Sequence, residues 1–204
     1  MKHRPLVYVV AGTVVVLLAV FAALYLRPAS VSPIASAGGK TARVKPVGGE
    51  VFYLQNDPAW ADVSLGSSDE KMGAAGCTVA CIAMGLSSVD QAVDPRQVVE
   101  GLAREGGFTP SGLVVWDAVG TLTSGRVRVE LPELSHQVVD AELASGRPVI
   151  AKIMLNGLVQ HWVLIVGKDG REYLVKDPLD SSMTVRRLSS RSEKIEAIRI
   201  FRVD

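Results

Sequence analysis

The chain has 204 residues, with 22 Lys plus Arg against 21 Asp plus Glu and a formal net charge of +1. That balance leaves no basic stripe for nucleic acid. The first quarter does not read as globular, which leaves roughly 155 residues, enough for one domain with a full core. Two cysteines and three histidines leave little room for metal chemistry. They form neither a CxxC nor an HxxxH pair, and there is no phosphate-binding or dinucleotide glycine loop. No cofactor is expected.

In chain order, the first element is a membrane anchor over residues 1–27. Leu6 to Leu26 carries no charge, and a helix of that length spans about 30 Å, the thickness of a bilayer core. Lys2 and Arg4 before it favour a cytoplasmic N-terminus and an extracytoplasmic domain, although Lys40, Arg43 and Lys45 on the far side weaken that orientation. A cleaved signal peptide is the rival reading, with Ala35-Ser36-Ala37 as a small-residue cleavage site that would release the domain. That site lies well beyond the apolar run, which is also longer than a signal core. Residues 28–49 read as a flexible linker, holding Pro28, Pro33, Pro46 and two Gly-Gly pairs without hydrophobic periodicity.

The globular pattern occupies residues 50–204. Val51 to Leu54 reads as a short strand leading into Gln55. Gly73 to Gly76 is a turn, and Cys77 to Leu86 an apolar helix. Asp94-Pro95 opens another helix, an N-cap acceptor followed by proline at the first helical position, and Gly106-Gly107 closes it. Ser111 is placed to cap a helix through Leu122. Val127, Val129 and Leu131 alternate as a strand. Val138 to Ser145 is helical and stops at Gly146. Five strands follow: Val149 to Leu155, Gln160 to Gly167, Arg171 to Lys176, Met183 to Leu188 and Ile195 to Val203. The fold class is α+β, a helical half packed on a C-terminal antiparallel sheet.

His3 precedes the anchor, so a Cys/His pair within the domain must draw on Cys77 or Cys81 and His136 or His161. Cys77 stands where a glycine-bounded turn meets a helix N-terminus, whose partial positive charge stabilises a thiolate. Helix position alone fits a buried structural thiol as well. Cys81 reads as a small core residue, and spacing of four within a helix suits a disulfide poorly. His136 reads as a solvated helix-start residue without a role.

His161 opens an apolar strand and alone could be a satisfied core histidine. A three-residue loop Lys168-Asp169-Gly170, with glycine last in the left-handed conformation, would pair Gly167 with Arg171. Six residues back and six forward, that register sets His161 opposite Asp177 on one face. A carboxylate on one imidazole nitrogen fixes the tautomer and supports the charged ring. Gln55 offers amide donors for an oxyanion, a weak signal by itself.

Gln55-Asn-Asp-Pro-Ala-Trp60, then Gly76-Cys77-Thr78 and Ala83-Met84, resemble the opening of double-glycine leader peptidase-like domains, a branch of the papain-like cysteine peptidases. Gly146-Arg-Pro-Val-Ile150 is similar to the strand before their catalytic histidine, His161 to Gly167 to the histidine strand, and Tyr173-Leu-Val-Lys-Asp177-Pro178 to the strand bearing the third catalytic residue. The resemblance implies a papain-like fold, with Cys77 as nucleophile, His161 as base, Asp177 as its orienter and Gln55 as oxyanion donor. It implies acyl transfer through a thioester on a peptide or protein substrate. The gap of 22 residues from Gln55 to Cys77 is longer than in the exporter-fused enzymes, and no transporter core follows, so stand-alone relatives are the nearer match. Two other activities fit the same residues: acyl transfer to an amine, and a catalytically silent peptide-binding or scaffold domain.

Overall fold

The computed structural model describes residues 32–89 and 92–203. The proposed anchor at residues 1–27 lies outside the described residues; among those described, no helix is long and apolar enough to cross a membrane.

The elements run β1 (Ile34–Ala35), β2 (Ala37–Val44), α1 (Met72–Ala75), α2 (Cys77–Ser87), α3 (Pro95–Arg104), a 3-10 helix at Trp116–Thr123, β3 (Val127–Glu130), α4 (His136–Ala144), β4 (Val149–Leu155), β5 (Val159–Lys176), β6 (Arg186–Arg187), a 3-10 turn at Leu188–Ser190, β7 (Lys194–Ile195) and β8 (Ala197–Val203). The main sheet is antiparallel in the order β2-β5-β4-β8-β3, with β6 also on β5, while β1 and β7 form a separate pair. This is the α+β arrangement expected.

Strand parity splits the interior into two cores. Ile150, Trp162, Leu164, Val166 and Phe201 join the helices α1 to α3 on one face. Val149, Ala151, Ile153, Val163, Ile165, Ile198 and Ile200 pack with α4 on the other. Successive strand residues point to opposite faces, and here both are buried. Hence Trp162 to Val166 is a continuous apolar run rather than an alternating one. α2 approaches the sheet closely at Gly85, where a Cβ would overlap the Phe201 ring. At α3, Asp94 accepts from the Gln97 N–H at 2.8 Å while Gln97 Oε1 accepts from the Asp94 N–H at 2.9 Å, a full capping box worth about 1 kcal/mol.

β5 turns back within itself. His161 and Asp177 are in contact at 2.7 Å, whereas sixteen residues of straight strand would span roughly 50 Å. Gly170 adopts φ 66°, the left-handed conformation that a three-residue loop closing on glycine requires. Val163, Ile165, Tyr173 and Val175 share one core, as the register pairing Gly167 with Arg171 demands.

Several expectations are corrected. The segment 28–49 is not a linker throughout, since β1 and β2 lie in it and the folded unit begins at Ser32. β2 bonds around the turn of β5, with Ala42, Arg43 and Val44 paired to Gly170, Asp169 and Lys168. Its edge position leaves Gly39 to Arg43 exposed, so it carries no apolar alternation. Gly38 lies where any Cβ would overlap the His136 ring, which gives this glycine a packing role. Val51 to Leu54 forms no strand, and Ser111 does not cap a helix. Thr109 and Leu113 close a tight turn there, the Leu113 N–H reaching Thr109 Oγ1 at 3.0 Å, and the helix starts only at Trp116 in 3-10 form. The strand expected over Met183 to Leu188 shrinks to Arg186–Arg187, because Met183 sits at φ 51° and Leu188 opens the 3-10 turn.

Candidate active site

Cys77 is the first residue of α2, reached from α1 across Gly76, with no side chain capping the helix start. Only 8% of its surface is exposed. Cys81, one turn on, is fully buried, with Sγ 3.5 Å from the Trp162 carbonyl oxygen. Burial pushes its thiol well up, and the charges of Cys77 and Asp177 push it further, which makes it an inert core group. Both cysteines are free.

His161 enters from β5 and is 2% exposed. Its Nε2 lies 2.7 Å from Asp177 Oδ1. Nδ1 is the ring nitrogen left free by that contact, and the Cys77 thiol lies close enough to the ring to act on its titration. Burial works against a charged imidazole, but the hydrogen bonds to Asp177 and then Cys77, with the charges of both, raise its pKa from 6.5 to about 9. The structure thus pairs His161 with Asp177 and sets Cys77 near the same ring.

Asp177 is 1% exposed. Its Oδ1 also accepts the Leu179 N–H at 2.9 Å, and Oδ2 accepts Arg191 Nε at 2.5 Å. Burial pushes this carboxyl up, but the His161 hydrogen bond and charge, the Leu179 N–H and the Arg191 charge together hold it below the usual range.

Gln55 is buried and ties both sides of the site together. Its backbone N–H donates to the Pro178 carbonyl at 3.0 Å, next to Asp177. Its Nε2 donates to the Gly73 carbonyl at 3.0 Å, four residues before Cys77. That carbonyl fixes the amide orientation, since Oε1 in its place would be repelled. One N–H of Nε2 remains for another acceptor, and Oε1 is buried without a partner.

Arg191 was not singled out from sequence. It lies fourteen residues past Asp177, close to Arg186 and Arg187, and nothing local distinguishes it. His136 is half-buried at the start of α4, where Ser135 Oγ accepts the Val138 N–H. It belongs to a separate group, its Nδ1 3.1 Å from the Tyr173 hydroxyl. Beside Cys77, a recess of about 250 Å³ is lined by Ala75, Thr78, Val79, Leu65, Glu70 and the segment 111–114. Among the described residues no cluster of His, Cys, Asp and Glu has the makings of a metal site.

No family model matches this sequence and no curated protein does. Among solved structures, one from Bacillus anthracis, described provisionally as a C39-like peptidase, superimposes with a TM-score of 0.55 over 80% of this chain and 100% of its own, at 14% identity. The chain thus has the fold of a C39-like cysteine peptidase.

Proposed function

We propose that this chain is a cysteine peptidase-like hydrolase that cleaves peptide or isopeptide bonds through a Cys77–His161–Asp177 triad. The observation that carries this reading is the His161 ring bound through Nε2 to Asp177 at 2.7 Å, with the Cys77 thiol near enough to act on the titration of the same ring. A raised imidazole pKa keeps the ring charged at neutral pH, and a charged ring beside a thiol at a helix N-terminus favours the thiolate. The thiolate attacks the substrate carbonyl, and the C–S bond forms as the carbonyl electrons move to oxygen. The Cys77 N–H and the spare N–H of Gln55 hold that oxyanion. His161 passes its proton to the departing amine, leaving a thioester. A water molecule, deprotonated by His161, then attacks the thioester and releases the acid and the thiol.

The anchor reading of residues 1–27 goes with this proposal: a single-pass protein with its hydrolase domain outside the cytoplasm, meeting peptide or protein substrates there. Alkylation tests the triad without a known substrate. At pH 6 the full chain is expected to lose Cys77 to iodoacetamide on the order of tenfold faster than its His161→Ala variant. Equal rates would move the assignment to a silent peptide-binding domain of the same fold.

Gln55 is separable from the thiolate, because alkylation builds no oxyanion. Gln55→Ala is expected to leave the alkylation rate unchanged while lowering turnover of an activated peptide ester by about 10²–10³. A matching fall in both readouts would assign Gln55 to the structure of the site instead.

A further inference from the structure

Asp177 has two carboxylate oxygens and the proposed triad uses one. Oδ1 is shared by His161 Nε2 and the Leu179 N–H, while Oδ2 meets Arg191 Nε. We infer that Arg191 is a positioning residue, holding the second oxygen of Asp177 so that the carboxylate stays charged and aimed at His161. This rests on the triad reading above.

Three observations support it. The first is that Arg191 is delivered by a fixed element. Leu188, fully buried, anchors the 3-10 turn, and the N–H groups of Arg191 and Ser192 both return to the Leu188 carbonyl at 2.8 and 3.1 Å. Ile195, also fully buried, closes the segment by pairing with Ile34. The second is economy of partners: Asp177 is the single carboxylate that Arg191 engages among the described residues. The third is the balance of charge. Asp177 faces His161 from β5, Cys81 from α2 and, at longer range, Arg186 from β6. Arg186 is already bonded to Asp180, which leaves Arg191 as the guanidinium in contact, beside the His161 ring. A charge-assisted bond to a buried carboxylate oxygen both orients it and disfavours its protonation.

The sign follows. Without Arg191, Asp177 takes up a proton at higher pH, His161 loses the charge that holds its imidazolium, and the Cys77 thiolate persists over a narrower range on the acid side. The experiment is the pH profile of Cys77 alkylation, from pH 4.5 to 9, in the full chain and in Arg191→Met, Arg191→Lys and His161→Ala, with thermal melts to follow folding. The acid limb is expected to rise by about one pH unit in the Met variant, with Lys recovering part of the shift. Guanidinium ion at tens of millimolar should return the Met variant toward the parent. Arg191 lines a recess of about 500 Å³ with Met154, Asn156 and Glu193, so the side chain removed in the Met variant borders open space. Should the Met variant not fold, Arg191→Gln, which keeps a donor but no charge, decides by the same upward shift. A parental acid limb in the neutral variant, with the His161→Ala profile collapsed, overturns the role of Arg191 and leaves the triad standing. A parental profile in His161→Ala overturns the triad itself, and this inference with it.

Discussion

Asp177→Ala is expected to lower stability by about 3 kcal/mol, a fall in melting temperature of about 6–12 °C for a domain of this size. The carboxylate is 1% exposed and accepts from three donors: His161, the Leu179 N–H and Arg191. Removing it leaves an imidazole Nε2 and a guanidinium facing a cavity. Breaking a buried pair by deleting one partner is more damaging than the net worth of the pair, because the survivor stays desolvated. The effect belongs at the lower end of that range. His161 can shed its proton, and the Arg191 side chain, 29% exposed, can turn to water. Asp177→Asn keeps the volume and an acceptor for Leu179, so its melting temperature should lie between the two. Thermal denaturation of the three chains at pH 6.5 checks this. A loss below about 3 °C for the Ala variant would mean that His161 and Arg191 find other partners and that Asp177 does not organise this corner of the site.

The register argument shows what the sequence could carry. Lys168-Asp169-Gly170 reads as a three-residue turn that would set Gly167 against Arg171 and, through two strands of period two, bring His161 to Asp177. Each step uses local chemistry, and the 2.7 Å contact is its product. The start of α2 at Cys77 and of α3 at Asp94 were legible for the same reason, since glycine and N-cap residues act on their own neighbours. Where local chemistry gives out, the reading does too. β2 is held by backbone bonds to the β5 turn and by a glycine under His136. Neither leaves a hydrophobic signature, so a proline- and glycine-bearing stretch passed for linker. Arg191 meets Asp177 because Leu188 and Ile195 happen to bury on the far core, a tertiary fact that no spacing encodes. The two-sided burial of the sheet also hides in the sequence: a continuous apolar run at Trp162 to Val166 reads the same in a strand buried on both faces and in a short buried helix.

The second large effect concerns pH. His161 is raised from 6.5 to about 9 in the folded chain, and in the unfolded chain it titrates near its ordinary value. Folding therefore takes up protons between these two values. The contribution is fully present below pH 6.5 and is lost as pH rises through about 9. At about 1.4 kcal/mol per unit, the loss is about 3–4 kcal/mol. Asp177 acts on the opposite side, since its lowered value contributes stability above the ordinary carboxylate range that is lost as pH falls. Lys176 opposes the His161 trend. Burial lowers its pKa, so its cost is relieved as pH rises. Because the Cys77 thiol titrates against the same ring, the comparison that isolates His161 is made in a Cys77→Ser background, with and without His161→Gln. Between pH 6 and 9.5 the melting temperature of the Cys77→Ser chain is expected to fall by several degrees relative to the double variant. A constant difference across that window would mean that the folded chain does not hold the ring charged. The thiolate would then lack the imidazolium that stabilises it, and Cys77 would return to being a buried thiol at a helix start.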